Sequence, residues 1–457
     1  MSLNSFSDVI AAISTPPGRS GIAVIRLSGQ DVLAFIKPFL SLKKYEPNTI
    51  KFSVFKKGQE VLDEVLVSYF KAPKSFTGED MIEINCHGNY VVAKKILNLL
   101  FQNGARSAQP GEFTMRALVN GKMDLVQAEA VIDLIDAKTA IAAKVSSAHL
   151  QGSLSEEIAQ IRQKVLDMVS HIEVHLDYPE EEELSDKMHY VSILEEIRVS
   201  IDGLLVSFSK GKIYKDGLVV AITGKPNAGK SSLFNKWLED NRAIVSDIPG
   251  TTRDTIEEWI ELEGIPIKLV DTAGIRESKD EVEKMGIGRT KEYLAKADIV
   301  IVMLDASTGI VDSDELLLED VIVEKTMFLI NKTDIASADK VNSQLLERHP
   351  ESDIFSLSVL HDNNLDDFNV RLIKKIEYLF KVDNEAEILI NNERHQESLL
   401  KAKEAVLAAE DSVLAGATED LWVIDLKEAM VHLGQVVGED VSEEVLDNIF
   451  SRFCVGK

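Results

Sequence analysis

The chain has 457 residues, 45% hydrophobic content and a formal net charge of -26, and this length exceeds what one hydrophobic core supports, so several domains are expected. No apolar run is long enough to cross a membrane, and residues 1–10 lack a secretory signal pattern. The two cysteines, Cys86 and Cys454, are too few for a disulfide framework or a zinc site. Together these features predict a cytoplasmic protein. The net negative charge opposes binding of the RNA phosphates, so any contact with RNA must be local or shared with a partner.

The first part of the chain predicts two different architectures in succession. Short β-rich runs at residues 22–27, 65–70 and 81–85 are separated by turn clusters, which is typical of a small α/β domain. From about residue 124 to 210 the sequence is rich in Ala and Glu with few helix breakers, and Ala128 to Leu150 is the clearest helical stretch. This part is predicted to be helical.

A third pattern begins at Gly217, where apolar strands alternate with amphipathic helices and predict a doubly wound parallel sheet. It fades near Phe380, after which Leu399, Val406 and Val413 repeat every seven residues, each followed by a leucine, along a helical face. Helices on both sides of an α/β module indicate one discontinuous helical domain with the module inserted. The predicted fold class is multidomain α/β plus all-α, divided into an N-terminal α/β domain (1–120), a first helical part (121–215), an inserted P-loop domain (216–380) and a second helical part (381–457).

The strongest motif is GKPNAGKS at residues 224–231, placed between an apolar strand and a helix predicted to begin near Ser231. Its glycines let backbone N–H groups approach phosphate oxygens, Lys230 supplies a cation to the β and γ phosphates, and the Ser231 hydroxyl is suited to Mg²⁺. The strand and helix on either side argue against a chance match in a surface loop.

Two further motifs follow strands of the same predicted sheet. Asp271 begins DTAG at a strand end, within reach of the Mg²⁺ water shell, and Asn331 begins NKTD at another strand end. The Asp334 carboxylate can accept hydrogen bonds from N1–H and the exocyclic amine of guanine, a pair that adenine lacks, so the nucleotide is predicted to be GTP. Ser356-Leu357-Ser358 is predicted to complete the base pocket through backbone N–H groups.

The segment between the phosphate loop and Asp271 has the position of a switch loop, in which Thr252 is the predicted second Mg²⁺ ligand. Ile275 follows DTAG where Ras-like enzymes place a water-orienting glutamine, and isoleucine cannot orient water. Another polar group must do so. The predicted GTP-binding residues are Asn227, Ala228, Gly229, Lys230, Ser231, Ser232, Ser246, Asp247, Ile248, Pro249, Gly250, Thr251, Thr252, Asp271, Thr272, Ala273, Gly274, Asn331, Lys332, Asp334, Ser356, Leu357 and Ser358.

Six short stretches distributed along the chain are more specific than these general nucleotide motifs. They are TPPGR at 15–19, SFTGED at 75–80, PGEFT at 110–114, DLVQAEA at 124–130, GTTRD at 250–254 and CVGK at 454–457. Over essentially its full length the chain resembles the MnmE (TrmE) family of bacterial tRNA uridine-modification GTPases. The family's usual ending has isoleucine where Val455 stands, a conservative departure.

The resemblance implies a homodimer formed through an N-terminal folate-binding domain, and a Ras-like G domain inserted in the helical domain. It also implies a flavoprotein partner, MnmG (GidA), in a heterotetramer that builds a carboxymethylaminomethyl-type group on C5 of the wobble uridine of certain tRNAs. A tetrahydrofolate derivative (5-formyl- or methylene-tetrahydrofolate) would supply the one-carbon unit. In matching positions, Arg26, Glu79, Lys122 and Lys457 would contact the folate, whose glutamate tail suits cations and whose pterin edge suits a carboxylate.

The resemblance further implies a potassium-activated GTPase, in which K⁺ takes the place of an arginine finger. Asn227 would offer a side-chain oxygen and Ser246, Ile248 and Thr251 backbone oxygens to this ion. Glu283 would orient the attacking water, so Glu283, Lys230 and Asn227 form the predicted catalytic set. The alternative interpretation of Glu283 is a solvated helix face, because charged residues flank it on both sides.

Two other functions share some of these motifs. A stand-alone regulatory GTPase of ribosome assembly would carry the same nucleotide motifs but would not need folate. A dimerisation scaffold with a degenerate G domain is disfavoured because Lys230, Ser231, Asp271, Asn331 and Asp334 are all intact. Binding of folate and turnover of GTP separate the three functions.

Overall fold

A computed structural model describes residues 8–178, 187–241, 257–271, 294–311, 314, 315, 318, 322–361, 364–380 and 388–457. The chain divides into two compact units, one formed by residues 1–132, 148–197 and 401–457 and the other by residues 133–147 and 198–400. Among the described helices, none combines the length and apolar composition that a membrane crossing needs.

The first unit contains a six-stranded, mostly antiparallel sheet with the strand order β3-β4-β5-β2-β1-β6. Alternating side chains of its strands pack against helices on one face, where Ile25, Leu27, Ile82 and Ile84 are fully buried. The sequence-predicted strands at 22–27, 65–70 and 81–85 are therefore confirmed, with extended bounds. The strands are β1 (Ile10–Ile13), β2 (Ile22–Ser28), β3 (Ile50–Lys57), β4 (Glu60–Phe70), β5 (Met81–His87) and β6 (Arg106–Ser107).

The second unit contains a six-stranded sheet with the strand order β12-β11-β10-β7-β9-β8, parallel except for β8. All seven residues of its central strand β10 are buried, as expected where helices cover both faces of a parallel sheet. The predicted doubly wound sheet is confirmed. Its strands are β7 (Leu218–Gly224), β8 (Glu257–Leu262), β9 (Ile265–Asp271), β10 (Ile299–Asp305), β11 (Thr326–Asn331) and β12 (Asp353–Ser356).

The remaining described residues are largely helical, so the predicted combination of α/β and all-α architecture is confirmed. A short 3-10 helix, Lys37–Phe39, follows the first α-helix. The helices are α1 (Val32–Ile36), α2 (Tyr90–Gln102), α3 (Glu112–Val119), α4 (Leu125–Asp136), α5 (Ala140–Leu150), α6 (Ser153–Asp177), α7 (Lys187–Asp216), α8 (Lys230–Asn241), α9 (Asp339–Arg348), α10 (Leu365–Phe380), α11 (Glu393–Leu414), α12 (Glu419–Val437) and α13 (Glu443–Ser451).

The predicted helical stretch from Ala128 to Leu150 is confirmed, as two helices, because the chain breaks between α4 and α5. Thr139 terminates this break: its hydroxyl oxygen accepts a hydrogen bond from the backbone N–H of Ala142 at 3.2 Å, which caps the first turn of α5. The heptad prediction on α11 holds for the stripe Leu399, Val406 and Val413, which is buried. The neighbouring leucines at 400, 407 and 414 are partly exposed.

Candidate nucleotide site and N-terminal polar cluster

The phosphate loop connects β7 to α8 and is held in shape by close backbone approaches. Gly229 has a φ of +107°, and a Cβ at this position would lie 2.1 Å from the Asn331 side-chain nitrogen, so only glycine fits. The Lys230 ammonium donates hydrogen bonds to the carbonyl oxygens of Gly224 and Lys225, both at 2.9 Å. The loop therefore folds around the Lys230 ammonium, the positive charge that would face a bound triphosphate.

Asn331 joins this loop to the loop that follows β12. Its amide nitrogen donates to the Ala228 carbonyl at 2.9 Å, and its amide oxygen accepts from the backbone N–H of Val359 at 3.1 Å. Asn331 is only 4% exposed, so both of its polar ends are used within the protein. Its role is thus to fix the phosphate loop and the base-binding loop in one geometry.

Asp334 lies at the mouth of the same cavity and is oriented by a serine. The Ser358 hydroxyl donates to one carboxylate oxygen of Asp334 at 2.6 Å, and this hydrogen bond is the main reason that the pKa of Asp334 lies below its ordinary value. His361 lies 3.7 Å from the other oxygen. Asp334 is therefore ionised at neutral pH and is suited to accept N–H groups of a guanine base.

Lys332 has a partner that the sequence interpretation missed. Its ammonium lies 2.7 Å from a carboxylate oxygen of Asp305, the last residue of β10. Burial raises the pKa of Asp305, but hydrogen bonds from Lys332 and Ser307 outweigh it, so the net pKa is lowered. The sequence did contain a signal for this ion pair, because Asp305 ends β10 and the neighbouring strand β11 ends at Asn331, directly before Lys332.

The cavity between these loops has a volume of about 680 Å³. Ala228 and Leu357 are fully buried and do not line it, while Ser356 ends β12. Two apolar residues not predicted from sequence, Ile335 and Leu360, do line it and are largely exposed. The predicted residues that the structure brings together on the cavity wall are Asn227, Gly229, Lys230, Ser231, Ser232, Asn331, Lys332, Asp334 and Ser358.

Other predicted residues of this site are not described by the structure. The backbone of Asp271 ends β9 and is in register with Ile222 of β7, which puts it at the same sheet edge as the phosphate loop. Within the described ranges, no group of three or more His, Cys, Asp or Glu side chains is arranged to hold a metal ion. The predictions that lie outside the described residues are those for Ser246, Asp247, Ile248, Pro249, Gly250, Thr251, Thr252, Thr272, Ala273, Gly274 and Glu283.

A second polar cluster lies in the first unit, on the sheet face opposite the helix-covered one. The Arg26 guanidinium binds Glu83 at 2.8 Å and lies 5.7 Å from the ring centres of both Phe76 and Phe113. It also donates to the Gly456 carbonyl at 3.4 Å. The structure thus brings Arg26 next to Gly456, the residue before Lys457.

Glu79 is fixed by two donors on the same side of this unit. Ser28, two residues after Arg26 on β2, donates to one carboxylate oxygen at 2.8 Å, and the fully buried Arg116 donates to both oxygens at 3.1 and 3.2 Å. A Cβ on Gly78 would lie 3.1 Å from the Lys122 side chain, so the Lys122 stem lies against Gly78, the residue before Glu79.

Arg116 is the centre of a buried ion cluster that sequence reasoning missed. It lies 2.9 Å from Glu112, which is also buried, and 2.7 Å from Asp8. Burial raises the pKa values of both carboxyl groups, but hydrogen bonds, led by those from Arg106, outweigh it and leave both pKa values lowered. Cys86 of β5 is buried, and burial raises its pKa to about 11.

The strand order of the second sheet, the phosphate loop and the base pocket together define a P-loop protein of the guanine-nucleotide-binding class. Two family models match the chain, the GTP-binding protein TrmE N-terminus over residues 9–122 and the MnmE helical domain over residues 125–454. The chain therefore belongs to the MnmE family of tRNA modification GTPases.

Individual relatives agree with this assignment. The tRNA modification GTPase MnmE of Carboxydothermus hydrogenoformans is 43% identical over 98% of this chain and 99% of that protein. The protein of the same description from Clostridioides difficile is 40% identical over 98% of this chain and 99% of that protein. Among solved structures, Aquifex aeolicus Era bound to GDP.AlF4- covers 42% of this chain and 67% of that chain at 29% identity, with a TM-score of 0.28. A TM-score this low is not evidence for the fold. The fold assignment rests on the strand order.

Proposed function

We propose that this chain binds and hydrolyses GTP in the cavity of the second unit. The observation that carries this proposal is the pairing of two loops through Asn331, because Lys230 and Asp334 line the one cavity between these loops. Asp334 selects guanine, and Lys230 neutralises charge on the β and γ phosphates. Hydrolysis is expected to need Glu283 as the group that orients water.

The residues on the cavity wall fit a magnesium ion. The Ser231 hydroxyl lines the cavity directly after Lys230, and a hard oxygen donor beside phosphate groups is what Mg²⁺ prefers. Thr252 would be the second protein ligand once the γ-phosphate is present. When bound, Mg²⁺ would neutralise charge on the phosphate oxygens.

The cavity also offers one of the oxygen donors proposed for potassium. Asn227 lines the wall with a positive φ of 64°, a conformation that asparagine tolerates better than most residues. Ser246, Ile248 and Thr251 would supply the remaining protein oxygens. The expected result is a GTPase rate that rises when Na⁺ is exchanged for K⁺; equal rates in the two salts would remove potassium from the proposal.

We further propose that the N-terminal cluster binds a tetrahydrofolate derivative, 5-formyl- or methylene-tetrahydrofolate. Glu79 would present its carboxylate to the pterin edge, and Arg26, Lys122 and Lys457 would supply cations for a glutamate tail. When bound, the folate would supply the one-carbon unit. Isothermal titration with 5-formyltetrahydrofolate tests this site independently of GTP.

In the complete reaction we propose that a flavoprotein, MnmG (GidA), works with this chain on the wobble uridine of certain tRNAs. The product is a carboxymethylaminomethyl-type group at C5. We propose a homodimer joined through residues 1–120, a heterotetramer with the flavoprotein, cytoplasmic location, and the remaining domain bounds 121–215, 216–380 and 381–457. Support comes from family membership over both matched regions.

One experiment tests the proposed reaction as a whole. Transfer RNA nucleosides from cells that lack this chain are compared by mass spectrometry with those from cells carrying it. The expected result is loss of the C5 substituent on wobble uridine, restored by the wild-type chain but not by Lys230→Ala. Retention of the substituent without the chain contradicts the proposal and favours a regulatory GTPase.

A further inference from the structure

The charges of this acidic chain are distributed unevenly. Residues 1–120 carry 14 Lys and Arg against 10 Asp and Glu, whereas the whole chain carries 50 against 76. The N-terminal segment therefore has a net charge of +4 and the remainder has a net charge of -30. A polyanion that contacts this chain is repelled by most of it and attracted only near its N-terminal sheet.

The excess positive charge follows the outer edge of the first sheet. Strand β3 is the outermost strand, so only β4 pairs with it along its whole length. Residues 40 and 41 pair antiparallel with part of its free side, because Leu40 bridges Phe55 and the Ser41 N–H donates to the Val54 carbonyl at 3.2 Å. Five lysines lie on β3 or within a few residues of this pairing, and we name them the edge lysines: Lys37, Lys43, Lys44, Lys56 and Lys57.

The edge lysines are available to a ligand. Lys37, Lys43, Lys44 and Lys57 are exposed and Lys56 is half-buried, and none of the five is in an ion pair with a described residue. The sixth lysine of this edge, Lys51, is excluded because it binds Glu46 at 2.9 Å.

Acidic groups do not balance this edge. Glu60 is opposite Lys57 in the β3–β4 register, while Asp63 is already bound to His87 at 2.6 Å. Glu64 is opposite Val54, an apolar residue. Five cations therefore face few free carboxylates.

We propose that the edge lysines bind the phosphate backbone of the tRNA substrate. The eight residues of β3 span about 26 Å, a length that crosses several phosphates of an RNA duplex. Lysine ammonium groups bind phosphate as point charges without base preference, so the edge would hold the tRNA body while the uridine is read elsewhere. This inference rests on the proposed function, because it takes tRNA as the substrate.

A simpler role for lysine at a sheet edge is to block pairing with another strand. That role requires lysines on β3 itself, yet Lys37, Lys43 and Lys44 lie outside β3, on either side of the two residues that pair with it. Phosphate binding accounts for the lysines on both segments. The two roles differ in their consequences for RNA affinity, which makes them separable.

The test measures binding of fluorescently labelled tRNA to the full-length chain by anisotropy, from about 50 to 200 mM salt. The variant is K56E/K57E and the matched control is K94E/K95E, the same charge reversal at adjacent exposed lysines on helix α2. The expected result is roughly a tenfold or greater loss of affinity for K56E/K57E. Each lost phosphate contact also lowers the salt slope by about 0.7–0.9. The control should keep wild-type affinity within about twofold.

Equal tRNA affinity of the two variants overturns the inference and leaves the edge lysines as a guard against strand pairing. Absence of tRNA binding by the wild-type chain also overturns it. Loss of binding to the flavoprotein with tRNA affinity kept assigns the edge to a protein partner instead. None of these outcomes changes the result expected from mass spectrometry of tRNA nucleosides. Failure of the proposed function would instead be seen in that experiment, as a wobble uridine that stays modified in cells without the chain.

Discussion

The two sheets of this molecule assemble their candidate sites in different ways. In the second sheet, parallel strands end at one edge, so residues of short contiguous motifs such as 224–231 and 331–334 meet there without long-range arrangement. In the first sheet, Arg26 meets Gly456 across almost the whole chain, and Glu79 is held by Arg116 from a different element. A motif-based site is readable from sequence, whereas a site assembled from distant residues depends on the folded domain.

The largest expected effect is on the stability of the first unit. Arg116→Met removes the fully buried guanidinium that Glu112 and Glu79 share. Of their side-chain partners, Glu79 then keeps the Ser28 hydroxyl and Glu112 keeps the more exposed Arg106, and breaking a buried ion pair costs about 3–5 kcal/mol. Hydrogen exchange of the full-length chain, followed by peptide mass spectrometry, should show this loss in α3 and no change in α8.

The matched control for Arg116 is Arg371→Met. Arg371 binds Asp353 at 2.7 Å, but it is half exposed, so its removal should change protection by no more than about 1 kcal/mol. If the two substitutions have equal effects, burial does not distinguish these ion pairs and the first sheet does not depend on Arg116.

The second effect concerns the phosphate loop. Lys230→Ala removes the cation that faces the β and γ phosphates, and single-turnover GTP hydrolysis should fall by about 10²–10³-fold. Lys236→Ala removes a lysine of the same helix whose described ion-pair partner is Asp240, and it should keep the wild-type rate. A Lys230→Ala rate close to wild type would show that the loop does not hold the triphosphate.

A smaller, paired effect compares the two sites directly. Ser28 and Ser358 each donate to a site carboxylate, at 2.8 Å to Glu79 and at 2.6 Å to Asp334. Ser28→Ala should weaken binding of 5-formyltetrahydrofolate, and Ser358→Ala binding of GTP, each by a factor of about 3–10. The affinities of both variants for both ligands are measured by titration. Each substitution should leave the other ligand's affinity unchanged, and a crossed effect would argue against two independent sites.

The sequence predicted the doubly wound sheet and most of the cavity wall because these depend on strand periodicity and local motifs. It did not predict the break between the two helices, because Thr139, whose side chain caps the start of α5, looks like an ordinary polar residue in an Ala-rich stretch. Nor does a local motif show that Leu357, between two serines, turns its side chain into the core while Ser358 lines the cavity.

The N-terminal polar cluster was harder to predict from the sequence than the nucleotide site. Arg116 has no local signature of burial, and although Glu112 lies one turn earlier on α3, its other two acidic partners, Asp8 and Glu79, come from distant segments. Only the family resemblance indicated Glu79 as a site residue. Long-range ion clusters of this kind are fixed by packing, which no local spacing encodes.

The most direct test of the central claim, that Asp334 selects a guanine base, is competition binding of GTP, ATP and XTP to the wild-type chain and to Asp334→Asn. An asparagine amide donates where the carboxylate accepted, so it fits the xanthine carbonyl in place of the guanine amine. Asp339→Asn, an exposed position at the start of α9, is the matched control. The account predicts a wild-type preference for GTP over ATP on the order of 100-fold or more, and a variant that prefers XTP. A wild-type chain that holds ATP as tightly as GTP, or a variant that still prefers GTP, would contradict it.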